Sequence, residues 1–298
     1  MKINLKYTYK LLNIILFIAI GILKLRKKLK ILLCTIAKQE NKYITEFVEH
    51  YQKMKIKQII IYDNNDIKGE TFDKILKKYI NNNFIKIINF RGFKQPQIIA
   101  LNNCYEKYNK NFDWIAFYDI DEFLYINNYT NLNSFLSLSK FRKCQGILIN
   151  WKYYGDNDTL YYKPQPLKQR FIKVFPTKNL KSRKQYYSAA KTIVKGGLKI
   201  KWGLLPHFIK NIINCRPDGK IIKNYFSPPQ YSIAYLKHYI TKSTEEFIER
   251  INRGDVRINK TDKYIKKRIY NYYFLFNNIT KEKINLFKKR INIKKIFK

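Results

Sequence analysis

The chain has 298 residues, which is enough for one large α/β domain or two small ones with a sizeable core. Hydrophobic residues make up 46% and aromatic residues 16%, a composition that excludes a disordered chain. The formal net charge of +39 attracts anions such as nucleic acid, anionic lipid or phosphorylated small molecules. Lys, Ile, Asn and Tyr all have A/T-rich codons, so codon bias is an alternative source of much of this charge.

An apolar stretch occupies residues 11–23 and is flanked on both sides by lysine and arginine. Its 13 residues are fewer than the roughly 20 that span a bilayer. We expect an interfacial helix with a basic collar, with a short signal anchor or an ordinary first helix as alternatives. No small-residue cleavage site is evident, so the sequence gives little support for a cleaved signal peptide.

The four cysteines at positions 34, 104, 144 and 215 form no CxxC pair, which argues against a zinc cluster. Cys34 and Cys104 lie in apolar runs and are interpreted as small core residues. The pattern indicates no disulfide framework and is compatible with a reducing compartment.

Strands and helices are predicted to alternate from residue 30 onwards. The apolar runs predict strands over 30–36, 58–62, 84–90 and 114–118. Asn41 is expected to cap the first intervening helix, and the later helices are predicted over 71–80 and from Pro96 to about residue 108. This order favours a parallel, doubly wound sheet, whose ligands bind beyond the carboxyl ends of the strands.

The second half has a mixed pattern. We predict a strand over 146–151, partly antiparallel structure with long loops over 152–235, and a helix over 244–250 that opens with a Ser243–Glu246 capping box. Residues 257–298 carry 14 Lys/Arg against two Asp/Glu and are interpreted as basic amphipathic helices. The predicted division is a membrane-proximal segment 1–29, a catalytic domain 30–255 with halves 30–124 and 125–255, and a tail 256–298.

The sequence FYDIDEF spans the end of the fourth predicted strand, and Asp119 follows that strand directly. Asp119 and Asp121 are two residues apart, so their carboxylates point the same way on an extended segment. Paired carboxylates suit Mg²⁺ or Mn²⁺, because these ions typically bind carboxylate oxygens of the protein together with phosphate oxygens of the substrate. An isolated Asp-x-Asp is more often a solvated turn, but its position at the end of a buried strand favours a metal site that offsets charge on a departing nucleoside diphosphate.

Several segments together resemble glycosyltransferase family 92 and its family-2-like relatives, which have the GT-A fold. The likeness lies in residues 34–51, 61–65, 97–104 and 113–124, and continues in 151–155, 191–194, His207, 238–239, 242–243 and 245–246. It covers roughly residues 30–255.

The resemblance implies roles for individual residues on the donor side. It implies that Thr35 and Glu40 line the nucleoside, that Asp63 contacts the base and that Gln97 belongs to the nucleotide wall. Lys38 is implied to face the diphosphate. Asp119 is implied to face the ribose or the metal, and Asp121 is implied to bind the metal. Members of the fold usually add a later histidine or aspartate to the metal. His207 and His238 are the candidates, with His238 preferred, and a structural role is the alternative for each.

The acceptor side is less defined. Inversion at the sugar carbon needs a base that deprotonates the acceptor hydroxyl. Asp156 follows 151–155, where the family's acceptor loop is expected, but Gly-Asp-Asn-Asp replaces the usual small residues there. Asp255 is the second candidate, and a surface aspartate is the alternative for both.

The sequence therefore predicts an α/β protein with a GT-A-like doubly wound mixed sheet, made of a Rossmann-like nucleotide-binding half and an acceptor half. The expected function is Mn²⁺- or Mg²⁺-dependent, inverting transfer from a nucleotide-sugar, most simply a UDP-sugar, to a glycan or lipid-linked acceptor. We expect association with an anionic membrane surface on the cytoplasmic face and no nucleic-acid partner. The alternatives are a basic nucleic-acid-binding protein, suggested by charge and aromatic content, and an inactive sugar-binding relative.

Overall fold

The computed structural model describes residues 28–93, 96–175, 189–200, 207–224, 228–254 and 269–291. The apolar stretch 11–23, Asp255 and tail residues 256–268 and 292–298 lie outside these ranges. None of the helices within them combines the length and hydrophobicity that crossing a bilayer requires.

The described strands form one mixed sheet in the order β3-β2-β1-β4-β7-β6-β10-β5, with β8 paired to β6 and β9. The strands are β1 (Ile31–Ala37), β2 (Gln58–Asp63), β3 (Ile85–Asn89), β4 (Trp114–Phe117), β5 (Glu122–Ile126), β6 (Gly146–Tyr153), β7 (Ala190–Lys195), β8 (Asn214–Cys215), β9 (Ile221–Ile222) and β10 (Ala234–His238). The helices are α1 (Ile44–Lys53), α2 (Asp73–Asn81), α3 (Gln97–Tyr108), α4 (Leu132–Leu136), α5 (Leu167–Arg170), α6 (Thr244–Arg253), α7 (Phe274–Phe276) and α8 (Lys281–Arg290), with a 3₁₀ turn at Ser139–Phe141 and a π-helical turn at Ile269–Tyr273.

The first half is doubly wound, as predicted. Strands β1 to β4 pair in parallel, with β1 between β2 and β4. Phe47 of α1 and Leu76 of α2 pack on one face of the sheet, and Leu101 of α3 packs on the other. Both faces are covered, which is why these strands are nearly continuous apolar runs. Their carboxyl ends meet on one rim, where the predicted site residues lie.

The second half is mixed, also as predicted. β7 runs antiparallel to β4 and β6, whereas β10 runs parallel to β6 and antiparallel to β5. The pairing of β10 with β5 places His238 opposite Glu122. A residue from the second half is thereby brought beside the acidic segment that follows β4.

Helix α6 is anchored at both ends. The predicted Ser243–Glu246 capping box is present, and Glu246 also forms a buried two-bond ion pair with Arg170. The apolar face of α6 packs against the 269–291 segment, with Phe247 touching the Tyr273 and Phe287 rings. At α1 the prediction of an Asn41 cap is wrong, because the helix begins at Ile44 after a turn and has no side-chain cap.

Two disulfides correct the cysteine prediction. Cys34 on β1 is bonded to Cys104 on α3, and Cys144 before β6 is bonded to Cys215 on β8. The partners are 70 and 71 residues apart, so their spacing along the chain gives no signal of pairing. They become neighbours only because a helix packs on a strand and two distant strands pair.

Candidate active site

The acidic segment forms a tight turn between β4 and β5. The Glu122 N–H donates to the Asp119 carbonyl oxygen at 3.0 Å, and the Asp119 N–H donates to Glu122 Oε2 at 3.1 Å. Asp121 is 6% exposed and Glu122 is fully buried. Buried carboxylates persist only where cations, hydrogen bonds or a metal compensate their lost hydration.

Asp121, Glu122 and His238 form a cluster suited to a metal ion. One potential ligand atom from each lies within 4.8 Å of the others, and His238 Nε2 is 3.7 Å from Asp121 Oδ1. Two carboxylates and an imidazole are suitable ligands for Mn²⁺. Glu122 Oε1 and His238 Nδ1 are buried without a hydrogen-bond partner among the described residues, so this donor set fits a divalent cation.

Lys191 neutralises the other side of the turn. Its ammonium is 2.8 Å from Asp119 Oδ2 and 3.5 Å from Glu122 Oε1. Burial would raise the pKa of Asp119, but the attraction of Lys191 outweighs it and the pKa is lowered. Burial, together with the charges of Asp119 and Asp121, holds the pKa of Glu122 well above its usual range. Asp119 therefore pairs with Lys191. Glu122, and not Asp119, belongs to the cluster with Asp121 and His238.

Cations from the second half surround Asp121. Arg250 Nη1 lies 3.1 Å and Lys242 Nζ 3.9 Å from Asp121 Oδ2. Burial would raise the pKa of Asp121, but the electrostatic effects of His238, Lys242 and Arg250 outweigh it and hold the pKa far below its usual range. Burial lowers the pKa of His238 to about 4, despite the attraction of Asp121. His238 is therefore neutral at pH 7, the form that binds a metal.

His207 contacts Trp151, as His238 does, but it is not a member of the cluster. The Trp151 ring is 5.0 Å from the His207 ring and 4.6 Å from the His238 ring. His207 Nδ1 donates to the Ala190 carbonyl oxygen at 2.6 Å. Of the two candidate histidines, the structure brings only His238 to the acidic segment.

The predicted nucleotide-binding residues lie at the ends of β1 and β2. Thr35 is buried, and its hydroxyl has no hydrogen-bond partner among the described residues. Lys38 pairs with Asp66 at 2.8 Å. Glu40 pairs with Arg253 at 2.6 Å, which ties α6 to the loop after β1.

Asp63 and Gln97 continue this edge. Asp63 ends β2, and its Oδ2 lies 2.8 Å from Arg91 Nη2 while its Oδ1 accepts the Asn65 N–H. Gln97 is the first residue of α3. The Asp63 carboxylate therefore already has an arginine partner, and its contact with a base, like the role of Gln97, stays a prediction.

Asp156 is built into the fold. It is 2% exposed, and its Oδ2 accepts the Tyr273 hydroxyl at 2.5 Å and lies 2.8 Å from Lys283 Nζ. Its Oδ1 accepts the Asp158 N–H at 2.9 Å. Because both oxygens bind protein groups, the structure does not support Asp156 as a base. Asp255 lies outside the described residues, so its assignment stays a prediction.

Sequence reasoning missed several cationic side chains, and it placed Glu122 in the acidic cluster without naming it as a metal ligand. Arg250 and Arg253 are three apart on α6 and therefore share a face, a spacing that could have identified them. Lys191 stands in a buried apolar run, and such a lysine almost always has a partner. The unpredicted residues at this rim are Arg91, Lys191, Arg250 and Arg253.

A carboxylate–imidazole cluster ringed by cations lies at the carboxyl edge of a doubly wound sheet, an arrangement that suits a divalent cation and an anionic ligand. Sequence comparison gives the family. The profile of glycosyltransferase family 92 matches residues 30–272, and the chain belongs to this family. The comparison with curated proteins gave no significant match.

Solved structures similar to the chain are distant. TarS 1–349 from S. aureus is 16% identical, with 56% of this chain and 47% of that chain covered and a TM-score of 0.35. The same protein in complex with UDP-GlcNAc is 14% identical, with 88% and 72% covered and a TM-score of 0.37. The mannosyltransferase PcManGT from Pyrobaculum calidifontis, in complex with GDP-Man and Mn²⁺, is 8% identical, with 41% and 36% covered and a TM-score of 0.33. The chain spans about half the length of the first of these structures.

Proposed function

We propose that this enzyme transfers a sugar from a nucleotide-sugar donor, most simply a UDP-sugar, to a glycan or lipid-linked acceptor in a reaction that depends on Mn²⁺ or Mg²⁺. The observation that carries the proposal is the cluster of Asp121, Glu122 and His238 at the carboxyl end of β4, in a chain of glycosyltransferase family 92. The ion, when bound, offsets negative charge on the departing nucleoside diphosphate.

The protein's own groups would position the donor. Thr35 and Asp63 would line the nucleoside at the ends of β1 and β2. Lys38, Lys242 and Arg250 would bind diphosphate oxygens, because phosphate is attracted to converging cations. Asp119, held by Lys191, would face the ribose.

Inversion would require a base on the acceptor side. Of the two predicted aspartates, Asp156 is engaged by Tyr273 and Lys283, whereas Asp255 follows Gly254 at the end of the helix that carries Arg250. We therefore assign the base to Asp255, which would deprotonate the acceptor hydroxyl as it attacks the sugar carbon.

The test is a screen of nucleotide-sugars for donor hydrolysis in the presence of EDTA, Mg²⁺ or Mn²⁺. The expected result is hydrolysis of one donor class that stops in EDTA and resumes when the ion is added back. Hydrolysis that is insensitive to EDTA would refute metal dependence. Absence of hydrolysis and transfer with every donor would refute the nucleotide-sugar assignment.

We further propose that the protein associates with an anionic membrane surface through the apolar segment 11–23 and the basic tail. Each Lys or Arg near such a surface contributes about 1 kcal/mol, so a few residues suffice. Deleting residues 1–29 should release the protein into the soluble fraction, and a full-length protein wholly soluble in low salt would contradict the proposal. We propose the cytoplasmic face as the orientation. The two disulfides favour the other face instead, because disulfides persist in oxidising compartments.

A further inference from the structure

A cavity of about 390 Å³ lies between α1, β5, β10 and the loop before α5. Strand alternation separates it from the active site. Phe123 and Lys237 line the cavity, whereas their chain neighbours Glu122 and His238 belong to the acidic cluster. Successive residues of a strand point to opposite faces, so the cavity lies on the other face of the same two strands.

Lysines without carboxylate partners converge on this cavity. Lys53, Lys168 and Lys237 line it, and none of them forms an ion pair within the described part of the chain. Lys237 is half-buried on β10, and burial together with the charges of Lys152 and Lys168 lowers its pKa. A half-buried ammonium without a counter-ion is costly, and a bound anion would remove that cost.

Two glutamates also line the cavity, and each accepts a hydrogen bond from a protein group. Glu46 Oε2 accepts the Leu167 N–H at 2.8 Å, and Glu49 Oε1 accepts the Tyr79 hydroxyl at 3.0 Å. His50 also lines the cavity, and its Nε2 donates to the Leu124 carbonyl oxygen. Burial and the three cavity lysines lower the pKa of His50 to about 4. The three unpaired lysines outnumber the two glutamate carboxylates, so the lining of the cavity carries excess positive charge.

An aromatic platform borders the cations. Tyr125 is 43% exposed, its ring lies 5.0 Å from that of Tyr235, and Lys237 Nζ is 5.4 Å from its centroid. A partly exposed tyrosine ring presents an apolar face beside a polar hydroxyl, which suits the face of a sugar ring. Cations beside such a ring suit a sugar that carries a negative group.

We propose that this cavity binds the anionic groups, carboxylate or phosphate ester, of an acidic glycan, with Lys53, Lys168 and Lys237 holding the charges and Tyr125 stacking on a sugar ring. The site is concave and lies on the opposite face of the sheet from the acidic cluster, so its ligand would not displace the donor. The inference deepens the acceptor class of the proposed function by assigning the cavity to a part of the acceptor remote from the reacting hydroxyl, and it rests on that function for the choice of a glycan.

The test is calorimetric titration of the full-length protein with hexagalacturonate, neutral maltohexaose and inorganic phosphate at physiological salt. The triple substitution Lys53→Gln, Lys168→Gln and Lys237→Gln should weaken hexagalacturonate binding about tenfold, because charged contacts at a binding surface carry a large share of such affinity. The matched control replaces the exposed lysines Lys74, Lys77 and Lys110 by Gln and should change affinity less than about twofold. Tyr125→Ala should weaken hexagalacturonate but not phosphate.

Equal losses in the triple variant and its control would overturn the proposal in favour of general charge attraction. Maltohexaose binding as tightly as hexagalacturonate would overturn the anionic assignment, and phosphate binding alone would overturn the glycan assignment. Binding of phosphatidylglycerol vesicles through the same three lysines, without hexagalacturonate binding, would assign the surface to lipid instead. The double variant Lys53→Gln, Lys168→Gln leaves the strand residue intact and keeps the test valid if Lys237→Gln impairs folding. Donor hydrolysis is measured separately, so a failed screen and a failed titration remain distinguishable.

Discussion

The Arg250 guanidinium lies 3.1 Å from Oδ2 of Asp121 and at the same time donates to the Ile240 carbonyl oxygen at 2.7 Å. One side chain of α6 thus joins the acidic cluster to the segment that follows β10. It places a fixed positive charge against a carboxylate that the proposed cation would also bind. The arginine and the proposed ion would share one carboxylate.

Arg250→Gln should therefore tighten Mn²⁺ binding to the donor-free protein by about tenfold, because it removes a like charge close to the ion. Paramagnetic resonance of free Mn²⁺ measures this without an activity assay. Arg253→Gln is the control, since Arg253 binds Glu40 and the carbonyl oxygen of Lys38 instead of Asp121. Unchanged or weaker Mn²⁺ binding in Arg250→Gln would show that the arginine supports the metal site.

Asp121→Asn should keep the shape of the side chain and remove a charged ligand. Transfer should fall by about a hundredfold to a thousandfold, the usual effect of removing one group that stabilises transition-state charge. Circular dichroism should show an intact fold. Asp66→Asn, at a carboxylate 62% exposed, is the control. Normal turnover of donor by Asp121→Asn would remove Asp121 from the metal site.

The histidines can be separated by titrating Mn²⁺ against His238→Ala and His207→Ala. His238 belongs to the cluster, so its variant should need far more Mn²⁺ for half-maximal activity. His207 binds the Ala190 carbonyl oxygen, so its variant should keep the normal metal requirement. An unchanged requirement in both variants would return both histidines to structural roles.

The Glu246–Arg170 ion pair should make stability depend on acid. Burial would raise the pKa of Glu246, but hydrogen bonds from Arg170, Ser243 and Tyr43 lower it to about 2. The folded pKa lies below the unfolded one, so this stability is present above about pH 4.5 and is lost as the pH falls towards 2. The shift corresponds to about 3 kcal/mol of unfolding free energy.

Glu246→Gln should lose about 3–5 kcal/mol at pH 7, because Arg170 is left buried without its partner. Urea unfolding at a series of pH values should also show a weaker acid dependence in this variant. Glu249→Gln, whose carboxylate is 49% exposed, should change stability by less than about 1 kcal/mol. Parallel acid profiles for wild type and Glu246→Gln would contradict the assigned pKa.

The disulfides predict that the native protein, denatured without reductant, has no thiol that reacts with maleimide. After reduction, all four cysteines should react. The result also decides the membrane face, since four free thiols in protein taken directly from cells would support the cytoplasmic proposal. Absence of free thiols would place the domain in an oxidising compartment.

The sequence predicted the nucleotide-binding half well because its information is local. Each buried strand is an apolar run, and the polar residues at the strand ends share a rim by topology. Asp121 was found because it directly follows a strand. Lys191 and Arg250 were not, because their partners lie 72 and 129 residues away. The disulfide partners are likewise 70 and 71 residues apart in the sequence, so neither disulfide was predicted. Such pairs become evident only from the tertiary packing.

The C-terminal segment 269–291 has a practical consequence through its packing on α6. The family match ends at residue 272, before Leu286 and Phe287, which are buried against the helix that carries Arg250 and Arg253. A fragment trimmed to the family boundary would leave this apolar face in water and remove Lys283 from Asp156. An expressed fragment should therefore extend at least to residue 291, or α6 will lose the support that holds Arg250 beside Asp121 and Arg253 beside Glu40.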